Sequence, residues 1–464
     1  MDKTYLFYDI ETTGLNPCFD QILQFAAIRT DLNLNELNRY EFQIKLNCDL
    51  IPSPYAMLTH GIGIDESLKG IDEYSAIQQI FKLFNTPSTI SLGYNTLGFD
   101  DEFLRFSFYR NLLPPYTHQY ANNCSRMDLY PITVMFYLFQ QDALPNWPTY
   151  NQVPSLKLER LSEANRLTEG PAHNAMVDVC ATLELARKFI QKKPMWDYLA
   201  GYFIRDIDQS RTAQLTTAFQ IEQIAFKEAL LIDGKIGSKC NYIAPVLGLG
   251  QHNYYKNQNL WLRLDSVNFA EPLVFRRKAA ENQLLLPAKS RYLGKLAPER
   301  QQLVNRNKNW LLENPERLMA IMNYHREFTY PKVPQVDADA ALYDTGFPNP
   351  AEQALMQRFH QAAPAEKIQV AEKFSNPIYQ QLAFRIIGRH FSSSLNSEQK
   401  ILFEKYQDEL FSKPSIDYRG QVKLTIPKAL EEAANLKNTD LPPNHINLLN
   451  QYREFFLSKL TSLV

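Results

Sequence analysis

Near its start the chain reads Tyr5-Leu6-Phe7-Tyr8-Asp9-Ile10-Glu11-Thr12-Thr13-Gly14. An apolar run ending in D-x-E predicts a strand, and because strand side chains alternate, Asp9 and Glu11 share one face. Like charges persist side by side when water solvates them, a cation neutralises them or one is protonated. A D-x-E pair alone is more often a solvated rim than a site, but two later clusters change the weighing. Gly93-Tyr94-Asn95-Thr96-Leu97-Gly98-Phe99-Asp100-Asp101-Glu102 passes from a strand end into a helix start. Asp101 and Glu102 suit the helix dipole as readily as a site, whereas Phe99 would anchor the turn and hold Asp100 near the strand end. Ala172-His173-Asn174-Ala175-Met176-Val177-Asp178 opens a further helix. Asp178 has apolar neighbours, and a buried carboxylate needs a partner or a cation. A lone histidine at a helix start is more often a surface or capping group, yet His173 lies about a turn and a half from Asp178 and could reach the same opening.

Four carboxylates and one histidine, ordered D-x-E, F-D, H-x-x-x-x-D, match the needs of two-metal phosphodiester hydrolysis. Oxygen ligands favour Mg²⁺ or Mn²⁺ over zinc. Two ions about 4 Å apart activate a water and stabilise the leaving 3′ oxygen. Histidine, which titrates near neutrality, is suited to take the proton from that water.

The elements that must position these groups follow from periodicity. Strands are expected at 5–10, 22–30 and 39–45 as an antiparallel meander, then a helix at 73–84 and a buried strand at 89–94. Helices are expected at 100–111, 127–139, 156–164 and 173–192, so an α/β domain spans 1–193. Past Pro194 a helical stretch is expected to about Leu230, then short strands of a small barrel through Asp265, with the second domain spanning 194–348. Its basic stretch, 276–308, holds nine cations against Glu281 and Glu299 and offers a DNA-facing surface. Tyr330 to Pro350, with four prolines, reads as a connection. Residues 349–464 have helical spacing throughout and form an all-helical domain.

A chain of 464 residues, 45% hydrophobic and 21% charged, exceeds one core and is too apolar for disorder. Five scattered cysteines without a C-x-x-C argue against a disulfide framework or a zinc knuckle. The start, MDKTYLFYD, carries no signal-peptide pattern, and the longest apolar stretch, Tyr130 to Phe139, is too short to span a bilayer. A cytoplasmic protein without membrane contact is expected. With a formal net charge of -1, any nucleic acid must be held by a local surface.

The three motifs resemble those of the DEDD exonucleases, in the subclass with a catalytic histidine on a ribonuclease H-like fold. Asp9 to Gly14 matches the first motif, Asn95 to Asp100 the second and His173 to Asp178 the third. The resemblance implies metal binding by Asp9, Glu11, Asp100 and Asp178, with Glu11 also against the terminal nucleotide and His173 as general base. A narrower resemblance, carried by FAAIRTD at 25–31, GYN and FDDE within 93–102, FYRN at 108–111 and NCSRMDL at 123–129, is to the bacterial exodeoxyribonuclease I family. It implies an α/β exonuclease domain, an SH3-like barrel and a helical domain that close over single-stranded DNA during 3′-to-5′ hydrolysis in repair and recombination. It also implies two Mg²⁺ ions, a monomer and, as partner, the C-terminal tail of single-stranded DNA-binding protein.

The resemblance places the segment between the second and third motifs beside the incoming strand and so implies substrate contact by Arg105, Tyr116, Tyr120 and Arg126, with coverage of a core edge as the alternative for the tyrosines. Lys157 stands where the family often has arginine, so a bidentate phosphate clamp becomes a point charge. The same catalytic set would serve an RNA-trimming exonuclease, since no motif reads the 2′ hydroxyl. A non-catalytic single-strand binder is the third reading, and all five catalytic positions are filled.

Overall fold

Strand β1 (Thr4–Thr12) has both faces covered, and its alternation decides where the acids point. Leu6, Tyr8 and Ile10 pack with Phe25 and Ala27 against helices 73–84 and 100–110, while Tyr5 and Phe7 face the opposite core with Leu92 and helix 175–190. Asp9 and Glu11 continue the Tyr5 and Phe7 face, toward the helix that carries Asp178. The computed structural model describes residues 2–170, 173–268, 271–413 and 415–462.

The meander adds β2 (Ile22–Thr30) and β3 (Glu36–Gln43), both antiparallel, and β4 (Thr89–Gly93) and β5 (Ser125–Asp128) extend the sheet in parallel, in the order β3-β2-β1-β4-β5. The third strand thus begins earlier than 39. The β5 strand was hidden because Ser125 to Asp128 runs straight into the apolar helix Leu129–Phe139. Asp128 caps that helix, accepting from Tyr130 N. Helix Glu73–Phe84 is capped by Asp72, which accepts from Ser75 N, and buries Ile77, Ile80 and Phe84. Gly93 ends β4 where a Cβ would lie 2.8 Å from the Tyr8 carbonyl oxygen, so the close approach of β4 to the Asp9 end of β1 excludes a side chain there.

A short hairpin, β6 (Thr149–Tyr150) with β7 (Val153–Pro154), precedes helices Leu158–Asn165 and Ala175–Ile190. The helical stretch expected to Leu230 is corrected: helices stop at Ala213, and β8 (Thr217–Ile221) and β9 (Ile224–Ile232) follow as a hairpin. Ala229 to Ile232 are buried consecutively, which erases the period-2 signal of a strand. With β10 (Ile243–Gln251), β11 (Gln258–Arg263), β12 (Val274–Lys278) and β13 (Leu284–Pro287) they make a six-stranded antiparallel sheet.

The basic stretch is also corrected. Only Arg276, Arg277 and Lys278 lie on a strand, while helices Ser290–Leu293, Pro298–Glu313 and Pro315–Glu327 occupy most of the chain from 290 to 327. Three of its cations are consumed internally. Buried Arg277 holds Asp208 at 2.5 Å, Arg300 holds Asp265 at 2.5 Å and Lys308 holds Glu228 at 2.5 Å. Their partners come from outside the window, so local charge counting could not see them.

The boundary expected at 348 falls inside the third unit's packing. Ala338, Ala340 and Leu342 share a core with Phe359, Leu382 and Ile386 and with Phe19, Phe106 and Tyr109 of the first unit. The connection is therefore anchored by buried residues at 338–342, with a short helix at Leu342–Thr345, while most of the rest of it is exposed or half-buried. Helices 350–361, 377–390, 397–412, 426–437 and 443–462 complete the chain. Among the described residues no helix is long and apolar enough to cross a membrane.

The third unit is tied to the first through Arg389, which donates to Asp49 at 2.8 Å and to Asp339 at 2.8 Å, and through Tyr452, which donates to the Pro52 carbonyl at 2.7 Å. Burial alone would raise the Asp49 carboxyl, but Arg389 and Lys423 outweigh it and hold it at about 2. A depressed carboxyl stabilises the fold above its unfolded pKa, and that stability drains as pH falls from about 4 toward 2. Asp49→Ala leaves Arg389 buried without this partner, with an expected cost of about 3–5 kcal/mol in chemical denaturation at pH 7. At pH 2 the difference between variant and wild type shrinks; a constant difference at both pH values would exclude the assignment.

Candidate active site

Glu11 sits opposite Gln24 in β2, and the pairing slips between Glu11 and Thr12, a bulge that re-aims the strand end. Gln24 Oε1 accepts from Ala175 N at 3.1 Å and so fixes the start of helix 175–190 beside Glu11. Asn174 caps that helix, accepting from Val177 N, and its first turn brings in Asp178. His173 stands just before it in a left-handed conformation (φ 61°), with its backbone N–H donating to Asp178 Oδ2 at 3.2 Å. Ala172, which opens this motif, lies outside the described residues.

The second motif is held from below. Buried Asp128 accepts from Asn95 N at 2.8 Å and Leu97 N at 3.2 Å as well as from Tyr130, pinning the turn that leads to Asp100. Sequence reasoning missed this role, although an acid directly before an apolar helix is a capping signal.

These elements bring Asp9, Glu11, Asp100 and Asp178 into one electrostatic cluster. The Asp9 carboxyl is pushed well up by burial, then by Asp100, Asp178 and Glu11. Burial, Asp178 and Asp100 raise Glu11 to about 8. Asp100 is 6% exposed and raised well above the usual range by burial, then by Asp128 and Asp101. Burial lifts Asp178 to about 6 against the opposing pull of His173. Glu11, His173 and Asp178 each present a ligand atom, all within 4.8 Å of one another. Mutually repelling carboxylate oxygens with one imidazole nitrogen are a donor set that fits a divalent cation.

Members of the cluster line two clefts. Asp9, His173 and Asp178 line one of about 700 Å³, whose far wall is Asp233, Lys235, Ser238 and Asn282 of the second unit. Glu11 lines the other, of about 690 Å³, opposite Arg419, Gln421, Lys423 and Glu432 of the third. Lys157 lines the first cleft, exposed, with Nζ 3.5 Å from Glu159. His60 lines the second, and the sequence reading overlooked it. Its Nδ1 accepts from Ile62 N, its buried Nε2 has no hydrogen-bond partner, and burial lowers its pKa to about 4.

The structure places the other expected substrate contacts away from the two clefts. Arg105 is buried, with Asp101 at 2.6 Å and a further ion pair to Glu102. Arg126 binds Asp101 at 2.6 Å and Glu281 of the second unit at 2.9 Å. Asp101 also meets buried His118 at 3.1 Å, so it is a structural hub and not a dipole partner. Tyr116 and Tyr120 line a separate apolar hollow with Tyr343 and Phe347, where Tyr116 packs on Phe347 at 5.8 Å. None of the four lines the clefts of the carboxylate cluster.

Known proteins share this arrangement. Residues 6–186 match the exonuclease family model, and residues 336–458 match that of the exonuclease I C-terminal domain. Exodeoxyribonuclease I of Escherichia coli K12 is 29% identical over 443 residues, covering 88% of this chain and 90% of its own. That of Haemophilus influenzae Rd is 27% identical over 464 residues, covering 91% and 93%. The structure of E. coli exonuclease I in complex with a 5cy-dT13 oligonucleotide superposes with a TM-score of 0.83 at 25% identity, over 100% of both chains. With both family models in order along a single chain, relatives matched along nearly all of its length and the carboxylate cluster in place, the chain belongs to the exodeoxyribonuclease I family of exonucleases.

Proposed function

We propose that the chain hydrolyses single-stranded DNA from its 3′ end to 5′-mononucleotides with Mg²⁺, in repair and recombination. The observation that carries this reading is the acidic cluster whose members line two clefts, each walled by a different accessory unit. Clefts on either side of Asp9 and Glu11 offer room for a single strand and its terminal nucleotide. Asp9, Glu11, Asp100 and Asp178 would hold the ions. When bound, divalent cations supply an acidified water and stabilise charge on the leaving 3′ oxygen.

The chain's own residues do the remainder. His173 accepts the proton of the attacking water at its imidazole, and its 45% exposed side chain passes that proton to solvent. Glu11, on the strand bulge between the clefts, meets the terminal nucleotide. Lys157 places a single charge for a phosphate at the mouth of the first cleft. The protein works as a monomer, since both cleft walls come from one chain.

His173→Ala is expected to lower kcat by about 10²- to 10⁴-fold with little change in strand affinity. Asp178→Ala abolishes release of labelled 3′ nucleotides, and a fully active Asp178→Ala protein refutes the ligand assignment. Metal binding must also displace protons, because Glu11 near 8 and Asp178 near 6 ionise to become ligands. Without metal, carboxyls raised in the fold cost stability as pH climbs from their unfolded range to 8, because the unfolded chain ionises them first. The rise in Tm on adding Mg²⁺ is therefore larger at pH 8 than at pH 6, and equal rises contradict it. Matched DNA and RNA oligonucleotides settle the substrate: faster loss of RNA replaces this reading with an exoribonuclease.

A further inference from the structure

His173, the proposed general base, is held by its backbone and not by its surroundings. Its N–H donates to Asp178, and the Asn174 cap sets the helix turn that follows. The side chain is 45% exposed, so no core packing locks the ring. A base with a freely turning imidazole is aimed at its water only part of the time, and the reaction gains from a group that fixes it. The chain supplies one from a different segment. Glu159 Oε2 lies 3.8 Å from His173 Nε2, and among the described residues Glu159 is the acid paired with that ring. Glu159 Oε1 lies 3.5 Å from Lys157 Nζ, so a single carboxylate spans the base and the charge placed for a phosphate.

Glu159 stands on an anchored element. It lies in the first turn of helix Leu158–Asn165, whose Leu161 is fully buried, and Leu156 just before the helix is buried as well. Tyr94 of the second motif donates to the Leu156 carbonyl, and Tyr242 of the second unit donates to the Pro154 carbonyl at 3.4 Å. The approach to this helix is therefore tied both to the central sheet and to the second unit. Glu159 lines the same cleft as Asp9, His173 and Asp178, yet it is not in the group of ligand atoms that Glu11, His173 and Asp178 bring within 4.8 Å of one another. Its place is beside the metal site and not in it. A separation of 3.8 Å is an ion-pair distance longer than a hydrogen bond, and catalytic contacts of that length before substrate arrives commonly tighten once it is bound.

We propose that Glu159 is a positioning residue, which holds the His173 imidazole in the orientation the reaction uses and at the same time restrains Lys157. The inference rests on the exonuclease reading and deepens it by naming what orients the base. It is tested on the full chain with Glu159→Ala, Glu159→Gln, His173→Ala and His173→Ala/Glu159→Ala, in steady-state hydrolysis of a labelled single strand with Mg²⁺. Glu159→Ala is expected to lower kcat about 10- to 100-fold, the usual cost of removing a group that orients a functional imidazole. KM stays unchanged or falls by up to about threefold, because Lys157 released from its ion pair is freer to meet a phosphate. Glu159→Gln, which keeps an acceptor oxygen at the same reach, recovers part of kcat. His173→Ala/Glu159→Ala matches His173→Ala within about twofold, since the acid acts only through the ring. In metal-free protein with ring-labelled histidine, the His173 resonance, identified by its loss in His173→Ala, shifts in Glu159→Ala. A raised KM with unchanged kcat, an equal loss of kcat with and without His173, or an unmoved His173 resonance overturns the role. A wild type that hydrolyses strands and is slowed by His173→Ala but not by Glu159→Ala loses the positioning role alone. A wild type that releases no nucleotides loses the exonuclease reading, and the role with it.

Discussion

Repulsion among four carboxylates is the interaction around which the molecule is arranged. Burial raises the proton affinity of Asp9, Glu11, Asp100 and Asp178, and the charges of Asp100 and Asp178 add to it at Asp9 and Glu11. A fold that keeps such groups together must restrain each from outside, since the groups themselves would separate. The restraints are visible one by one: the bulge after Glu11, the Gln24 contact to Ala175 and the three hydrogen bonds to Asp128. Stability given up in the cluster is what divalent cations return on binding.

The same accounting of charge explains the arginines. Arg105 and Arg126 converge on buried Asp101, Arg277 on Asp208, and Arg385 and Arg389 on Asp337, Asp339 and Asp49. Each pair joins segments far apart in the chain, save Arg105 with Asp101 on one helix, and the bridges from Arg126 to Glu281 and from Arg389 to Asp49 cross between units. The accessory units are thereby fixed against the first domain, so each holds its wall of a cleft in register with the acids. Cations committed in this way are unavailable to a polyanion. Among the described residues, Lys157 and Lys235 line the first cleft and are exposed.

Much of the site was legible in the residue order. Period-2 alternation put Asp9 and Glu11 on one face, Phe99 marked Asp100 as the positioned acid of its run, and apolar neighbours marked Asp178. These are local signals, carried within a few residues of each group. The reading failed where partners are distant. Arg126 meets Asp101 because β5 lies beside β4 and helix 100–110, a placement that no local pattern reports, whereas Arg105 meets Asp101 one turn away on the same helix. The strand at 224–232 fell within a stretch that read as helical because consecutive burial of Ala229 to Ile232 removes alternation.

By itself the sequence determined the candidate set of four carboxylates and a histidine, its order and the kind of chemistry such groups can do, because residue type and short-range spacing specify which atoms can ligate a cation and which face they occupy. It also determined the succession of an α/β unit, a strand-rich unit and a helical unit, since hydrophobic periodicity reports local geometry. Only the tertiary structure decided which cations are spent on internal carboxylates, that residues 338–342 of the 330–350 connection are buried, that His60 lines a cleft with Glu11 while Asp128 braces the turn to Asp100, and that Asp9 lines a second cleft. Those outcomes depend on contacts between residues tens to hundreds of positions apart, and no local pattern encodes the distance between them.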